Sequence, residues 1–335
     1  MRIGFNPQKD KPLEEEVFIH QIIIPVFIPN HEGYFKDSLA ILKLCLQSLF
    51  ATIHSRTFIT VVNNGSDSQV TEYLDELYQQ KRIQELIHTT NIGKLNAILK
   101  GLSGNNIELV TIADSDVLFL SDWQIETNRV FAKFPRAGVV GIVPQFKAYT
   151  TLCQNVIWDN FWKKSMQFIP VKNPKALEMF YTSIGWGPSN PDYLKRSLGL
   201  VASDGSQVYI GNGHFVATYK KDLFETIITY NDFKMGGDSE RYLDAVALQK
   251  NYWRLTTHDN YAYHMGNVLE PWMREVSFDN QQTCEFQQDF PIFKKINMLQ
   301  YFLRNHLFRK LFREESVKRL FYRFKGMPNE MISKY

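Results

Sequence analysis

Leu109-Val110-Thr111-Ile112-Ala113-Asp114-Ser115-Asp116 decides the fold. A run of apolar and β-branched residues, suited to a buried strand, ends on two carboxylates one residue apart. In an open α/β sheet, ligands bind beyond the carboxyl ends of the strands, where such a pair would emerge. Two close carboxylates are costly to keep ionised unless a cation lies between or beside them. Hard oxygen ligands suit Mg²⁺ or Mn²⁺, and those ions in turn suit a diphosphate. Taken alone, Asp-x-Asp is equally a strand that ends in a solvated acidic turn.

Outward from that strand, the pattern alternates between strand and helix. Gln21 to Ile28 is a near-continuous apolar run, closed by Pro29-Asn30 and Gly33. Leu39, Leu42, Leu46, Leu49 and Phe50 then fall at helical spacing. Thr57 to Val62 is β-branched and stops at the turn signal Asn63-Asn64-Gly65-Ser66-Asp67. Val70, Tyr73, Leu74 and Leu77 predict a helix, Glu85 to His88 a strand, and Asn91-Ile92-Gly93-Lys94 the start of another helix. A helix from Trp123 to Phe134 and a strand from Gly138 to Val143 follow. This alternation predicts a doubly wound, mostly parallel sheet flanked by helices. The expected divisions are a lead-in over 1–20, a first half over 21–145, a second half over 146–270 and a tail over 271–335. Residues 146 to 205 are aromatic-rich with weak periodicity and read as an insertion or lid over the sheet edge. Gln207 to Tyr219 is strand-like with an interruption at Gly211-Asn212-Gly213, and Tyr261 to Met265 is a last short strand.

Composition narrows the class. The 335 residues are enough for a sizeable core. Cys45, Cys153 and Cys284 are odd in number and share no ligand-like spacing, which argues for a reducing compartment and against a disulfide scaffold or zinc site. The first residues hold no apolar signal core, and no uncharged run is long enough to span a membrane. Charge is uneven. From Pro291 to Tyr335 there are 11 Lys and Arg against 3 Asp and Glu, while the remainder is mildly acidic. That asymmetry points to an anionic surface as partner. The tail also carries apolar residues at helical spacing, Leu299, Leu303, Leu307 and Leu311, then Val317, Leu320, Phe321 and Phe324. Residues 296–325 thus read either as a helix lying on an anionic bilayer or as one packed on the body with its charges in solvent. No Gly-x-Gly-x-x-Gly follows the first strand, and no Walker sequence is present.

In order and spacing, these motifs resemble a family-two-type glycosyltransferase of the GT-A fold, over about residues 20 to 266. The resemblance rests on the strand ending at Pro25 to Pro29, Val61-Val62-Asn63-Asn64-Gly65-Ser66, Asn91-Ile92-Gly93-Lys94 and Asp114-Ser115-Asp116. Gly211-Asn212-Gly213, Asp238-Ser239-Glu240 and His264-Met265-Gly266 complete it. It implies an enzyme that moves a sugar from a nucleotide-sugar donor, a UDP-sugar favoured, to a hydroxyl of a glycan or lipid-linked acceptor. Its setting would be cytoplasmic, peripheral on the inner membrane face, in polysaccharide biosynthesis. By the same resemblance, Pro25, Asn63, Asn91, Lys94, Asp114 and Asp116 surround the donor. The base sits near Asn63, where the family usually has an acid, and Lys94 reaches the diphosphate. Asp114 meets the ribose. Asp116 and His264 hold the metal, Mn²⁺ or Mg²⁺, with imidazole favouring Mn²⁺. Asn63 also fits plain turn chemistry, Lys94 a surface lysine and His264 a structural histidine.

Transfer needs a base for the acceptor hydroxyl, and a carboxylate at a helix start is held ionised by the dipole. Asp238 and Glu240 both meet that condition, and both fit a simple helix cap. Having a base candidate and no evident nucleophile favours an inverting displacement. Trp158, Trp162 and Trp186 are candidates for stacking on acceptor sugars, with core filling as the alternative. Two other classes stay open. A sugar-phosphate nucleotidyltransferase would carry a Gly-rich basic loop after the first strand, where this chain has Pro29-Asn30-His31-Glu32-Gly33. A non-catalytic sugar-nucleotide or glycan-binding protein would be expected to lose the metal acids. Nucleic acid is a weaker partner for the tail.

Overall fold

The computed structural model describes residues 4–7, 9–11, 18–187, 190–225, 230–235, 238–278, 290–293 and 297–335. One large sheet organises it, with strand order β3-β2-β1-β4-β10-β6-β11-β9-β8-β7. The strands are β1 His20–Val26, β2 Thr57–Asn64, β3 Glu85–Thr89, β4 Leu109–Ala113, β5 Val117–Phe119, β6 Ala137–Gly141, β7 Met166–Pro170, β8 Arg196–Val201, β9 Gln207–Ile210, β10 Val216–Lys220, β11 Trp253–Thr257 and β12 Ala262–His264. β5 and β12 form a separate two-stranded sheet. In the large sheet β1, β2, β3, β4, β6, β8 and β11 run one way. β7, β9 and β10 run against them. The α/β architecture is the one the alternating pattern predicts, and its first half, β3-β2-β1-β4, is wholly parallel.

The helices are α1 Ser38–Thr52, α2 Ser68–Gln79, α3 Lys94–Leu102, α4 Trp123–Lys133, α5 Gln154–Asn160, α6 Pro174–Ser183, α7 Asp238–Gln249, α8 Trp272–Glu275, α9 Met298–Phe302, α10 Phe308–Leu311, α11 Glu315–Phe324 and α12 Asn329–Ile332. Both faces of β1 are covered, which is why its sequence is continuously apolar rather than alternating. Ile22, Ile24 and Val26 pack with Leu42, Leu46 and Leu49 of α1, while Ile23 packs on the other face with Leu95, Ile98 and Leu99 of α3. α7 joins that second face through Leu243, Val246 and Ala247. A third cluster joins Phe131 of α4, Val156 of α5, Phe168 of β7 and Leu198 of β8 to the tail residues Phe321, Tyr322, Met331 and Ile332.

Two expectations need correction. Residues 146 to 205 are not a patternless lid. They supply α5, α6 and the antiparallel strands β7 and β8, which extend the sheet at its far edge. Their apolar residues are interrupted by polar ones because the strands are short and lie at an edge. Gln207 to Tyr219 is two strands in different places of the sheet: β9 pairs with β8 and β11, and β10 inserts between β4 and β6. The tail packs and protrudes at once. Phe321 and Tyr322 are buried, whereas Leu299, Phe302, Leu307, Leu311, Leu320 and Phe324 are exposed.

Candidate active site

The buried strand β4 lies between β1 and β10. Beyond its last residue, Asp114 N–H donates to the Phe215 carbonyl at 2.8 Å, which ends the ladder. The chain turns over Asp114-Ser115-Asp116 and leaves the large sheet as β5. The three apolar side chains of β5 are fully buried, so the turn is anchored on both sides. β5 pairs antiparallel with β12, with His264 opposite Val117, and Met265 N–H donates to the Asp116 carbonyl at 2.9 Å. This small sheet carries a distant histidine to the acid turn: His264 Nε2 lies 3.4 Å from Asp116 Oδ2.

Burial pushes the Asp116 carboxyl up to about 6, with Asp114 adding to the effect and His264 and Lys94 opposing it. Its Oδ1 is buried without a hydrogen-bond partner among the described residues. The other ring nitrogen of His264 is held by Ser183, with Oγ and Nδ1 2.8 Å apart. Ser183 Oγ donates its one proton to the Phe180 carbonyl at 2.7 Å, so it accepts from Nδ1–H. In the neutral ring this turns the Nε2 lone pair towards Asp116. The rings of Phe180 and Phe215 stand edge-on to the imidazole and fix its plane. An orphaned buried carboxylate oxygen beside an imidazole lone pair fits a divalent cation. Among the described residues no group of three His, Cys, Asp or Glu could hold an ion alone. The remaining ligands would have to be water and substrate phosphate, as is usual for Mg²⁺-type sites.

Lys94, at the first position of α3, is ion-paired to Asp114, with Nζ and Oδ1 2.6 Å apart. It is therefore directed into the site and is not a solvated surface lysine. Gly93 precedes it at φ +89°, and a Cβ there would lie 2.7 Å from the Phe233 carbonyl oxygen. Residues 230–235 cross that glycine: Lys94 N–H donates to the Lys234 carbonyl, and Asn96 exchanges two hydrogen bonds with the Asn231 backbone. This segment leads to α7, which opens on Asp238-Ser239-Glu240. The side chains of Asp238 and Glu240 lie outside the described residues, as do Gly236, Gly237 and Cys284.

The asparagines build the loops around this centre. Asn63 Oδ1 accepts from Ser66 N–H at 3.0 Å, while Nδ2 donates to Thr71 Oγ1 at 2.9 Å and lies 3.1 Å from His88 Nδ1. Its amide donors are thus engaged inside the protein, and an Oδ1 lone pair is what it has left to offer. Asn64 Oδ1 accepts from Ile92 N–H at 2.9 Å, and Asn91 Oδ1 from Gly93 N–H at 3.2 Å. Gly65, at φ +86°, comes so close to this loop that a Cβ would sit 2.7 Å from Asn91 N. Pro25 is half-buried on β1, opposite Val62. None of the three candidate tryptophans fills the core, which removes that alternative. Trp158, Trp162 and Trp186 are 45%, 82% and 66% exposed. Trp158 and Trp162 face Phe308 and Phe324 of the tail, and Trp186 follows Ser183 by three residues.

Three positions escape a reading of the sequence. Ser183 has no signature at the end of a helix. Arg254 of β11 and Asp244 of α7 form a buried pair at 2.6 Å, and Arg254 also donates to Asn212 Oδ1 and to the Asn212 and Thr151 carbonyls. Asn212 of the Gly-Asn-Gly segment is thereby locked to α7.

The model of the family described as Glycosyl transferase family 2 matches residues 25–187, a span that contains Pro25, Asn63, Asn91, Lys94, Asp114 and Asp116. Over this span the chain is similar to the family 2 glycosyltransferases. Asp238, Glu240 and His264 lie beyond the matched span. Two solved structures are similar to it. One is S. aureus TarS 1-349 in complex with UDP-GlcNAc, at 13% identity over 77% of this chain and 61% of that one, with a TM-score of 0.44. The other is the mannosyltransferase PcManGT from Pyrobaculum calidifontis in complex with GDP-Man and Mn²⁺, at 14% identity over 76% and 61%, with a TM-score of 0.43. This chain thus spans about three fifths of the length of either. No match was found among curated proteins.

Proposed function

We propose that this protein transfers a sugar from a nucleotide-sugar donor to a hydroxyl of a glycan or lipid-linked acceptor, with inversion, helped by Mn²⁺ or Mg²⁺. The observation that carries the reading is the meeting of Asp116 and His264 beside the Asp114–Lys94 pair at the carboxyl end of β4. Asp116 Oδ1 and His264 Nε2 would hold the cation, which when bound offsets charge on the departing diphosphate. Lys94 adds a second positive charge there, and Asp114 fixes it in place. The loops after β2 and before α3, with Pro25, Asn63 and Asn91, form the wall for the base and ribose. A UDP-sugar is the favoured donor. Asp238 or Glu240, at the start of α7, takes the proton of the acceptor hydroxyl, and the positive end of the helix keeps that carboxylate ionised. The exposed Trp186, close in sequence to Ser183, is the best placed of the three tryptophans to stack on an acceptor sugar.

The tail supports a peripheral position on the inner face of a membrane in surface-glycan synthesis. It exposes Leu299, Phe302, Leu307 and Leu311 among lysines and arginines. No described helix is long and apolar enough to cross a bilayer. The presence of both acids and a preset imidazole argues against a non-catalytic binder.

A thermal-shift screen of UDP, GDP, CMP and dTDP donors with and without Mn²⁺ tests the reading. One nucleotide at a hundredfold excess over its Kd should stabilise by about 2.7 kcal/mol, only with Mn²⁺ and not in Asp116→Ala. A shift that ignores both Mn²⁺ and the substitution would contradict a cation held by Asp116 at the donor diphosphate.

A further inference from the structure

A cavity of about 730 Å³ opens between the body and the tail, apart from the Asp116–His264 centre. Its lining includes Lys147, Arg241, Arg309, Arg313, Lys318 and Arg319. The two carboxylates that also face it are already compensated: Asp244 by the buried Arg254 at 2.6 Å, Glu315 by Lys318 at 2.5 Å. Lys147 is bonded to a neutral group, the Tyr193 hydroxyl, at 2.6 Å. Arg309, Arg313 and Arg319 form no ion pair among the described residues. Arg309, Arg313 and Arg319 therefore bring three positive charges to the cavity that no carboxylate among the described residues pairs. Its aromatic floor, Tyr149 and Tyr322, is held by a hydrogen bond between the two hydroxyls at 3.1 Å, and both side chains are buried. Arg241 belongs to the first turn of α7, directly after Glu240, so the cavity lies beside the helix start that carries the candidate bases.

We propose that this cavity is an anion site that receives a phosphate or diphosphate group of the acceptor. The guanidinium forks match phosphate oxygens in pairs, and uncompensated arginines are the side chains best suited to them. This assignment rests on the reading of α7 as the acceptor-activating helix. It places the acceptor in the class of phosphorylated glycans or lipid-linked diphosphates, with its hydroxyl towards the start of α7 and its anionic group towards the tail.

The test is calorimetric titration of the full chain, in EDTA, with inorganic pyrophosphate and with octyl diphosphate. Wild type should bind both. Arg309→Gln/Arg313→Gln/Arg319→Gln should bind pyrophosphate at least about tenfold more weakly, since each lost charge-assisted contact is worth about that factor. All three arginines are half-buried or exposed, and an unchanged melting temperature confirms that the variant folds. Asp116→Asn should bind pyrophosphate as wild type does. Absence of pyrophosphate binding by wild type, equal binding by the triple variant, or loss in Asp116→Asn would each overturn the proposal. Tighter binding of octyl diphosphate assigns the group to a lipid headgroup, and equal binding to a soluble phosphorylated glycan. The Mn²⁺-dependent nucleotide shift should persist in the triple variant. If that shift is missing in wild type while pyrophosphate still binds at the arginines, the donor reading fails and the anion site stands.

Discussion

At the residue scale the site depends on how one imidazole is presented. His264 is held from behind by Ser183 and flanked by Phe180 and Phe215, so its free nitrogen is set before any ligand arrives. Outer partners of this kind orient a metal ligand, and removing one typically weakens metal binding about 10–100-fold. Ser183→Ala should therefore weaken Mn²⁺ binding by that order, read from the free-ion paramagnetic signal, with little change in melting temperature. Equal Mn²⁺ binding by the variant would mean that Ser183 does not position the ring. The acids and the histidine are legible in the sequence through motif order. Ser183 is not, because a serine that bonds back to its own helix looks like any other. Asn63 is legible as a turn residue: its Oδ1 accepts from Ser66 N–H in the turn, while its amide donors are engaged by Thr71 and His88.

At the element scale the key device is the departure of β5 from the large sheet to pair with β12. Three apolar residues after an acidic turn are too short a run to announce a strand, so β5 is invisible as an element in the sequence. β11 is hidden for another reason. Its sequence, Trp253-Arg254-Leu255-Thr256-Thr257, puts a charge inside a fully buried strand, which only a partner on another element makes tolerable. That partner is Asp244, so α7 is tied to the sheet by a buried ion pair. Asp244→Ala leaves Arg254, 2% exposed, without its counter-charge and should cost about 3–5 kcal/mol in urea denaturation. A cost below about 1 kcal/mol would show that the carbonyls of Asn212 and Thr151 suffice to satisfy Arg254. The elements legible from the start are β1, β2 and β4, with apolar or β-branched runs closed by Pro, Asn or Asp, and α1 to α3, with apolar residues at helical spacing.

At the scale of the whole molecule, the tail does two things that periodicity alone could not separate. Helical spacing shows that an apolar face exists, not what covers it. Phe321, Tyr322, Met331 and Ile332 are part of the third core cluster, so deleting the tail would open that core. The membrane reading has to be tested on the exposed set instead. Wild type should sediment with phosphatidylglycerol vesicles and not with phosphatidylcholine, with roughly 1 kcal/mol of attraction for each basic residue near the surface. Leu299→Glu/Leu307→Glu/Leu311→Glu should stay in the supernatant with an unchanged melting temperature. Sedimentation equal to wild type would remove the membrane role.

The central claim is that Asp116 and His264 together hold the divalent cation that the donor diphosphate completes. Its most direct test is a paramagnetic resonance titration of Mn²⁺ with UDP on wild type, Asp116→Ala and His264→Ala. UDP should tighten Mn²⁺ binding to wild type, and either substitution should abolish the effect. Retention of UDP-dependent Mn²⁺ binding in both variants would contradict the claim.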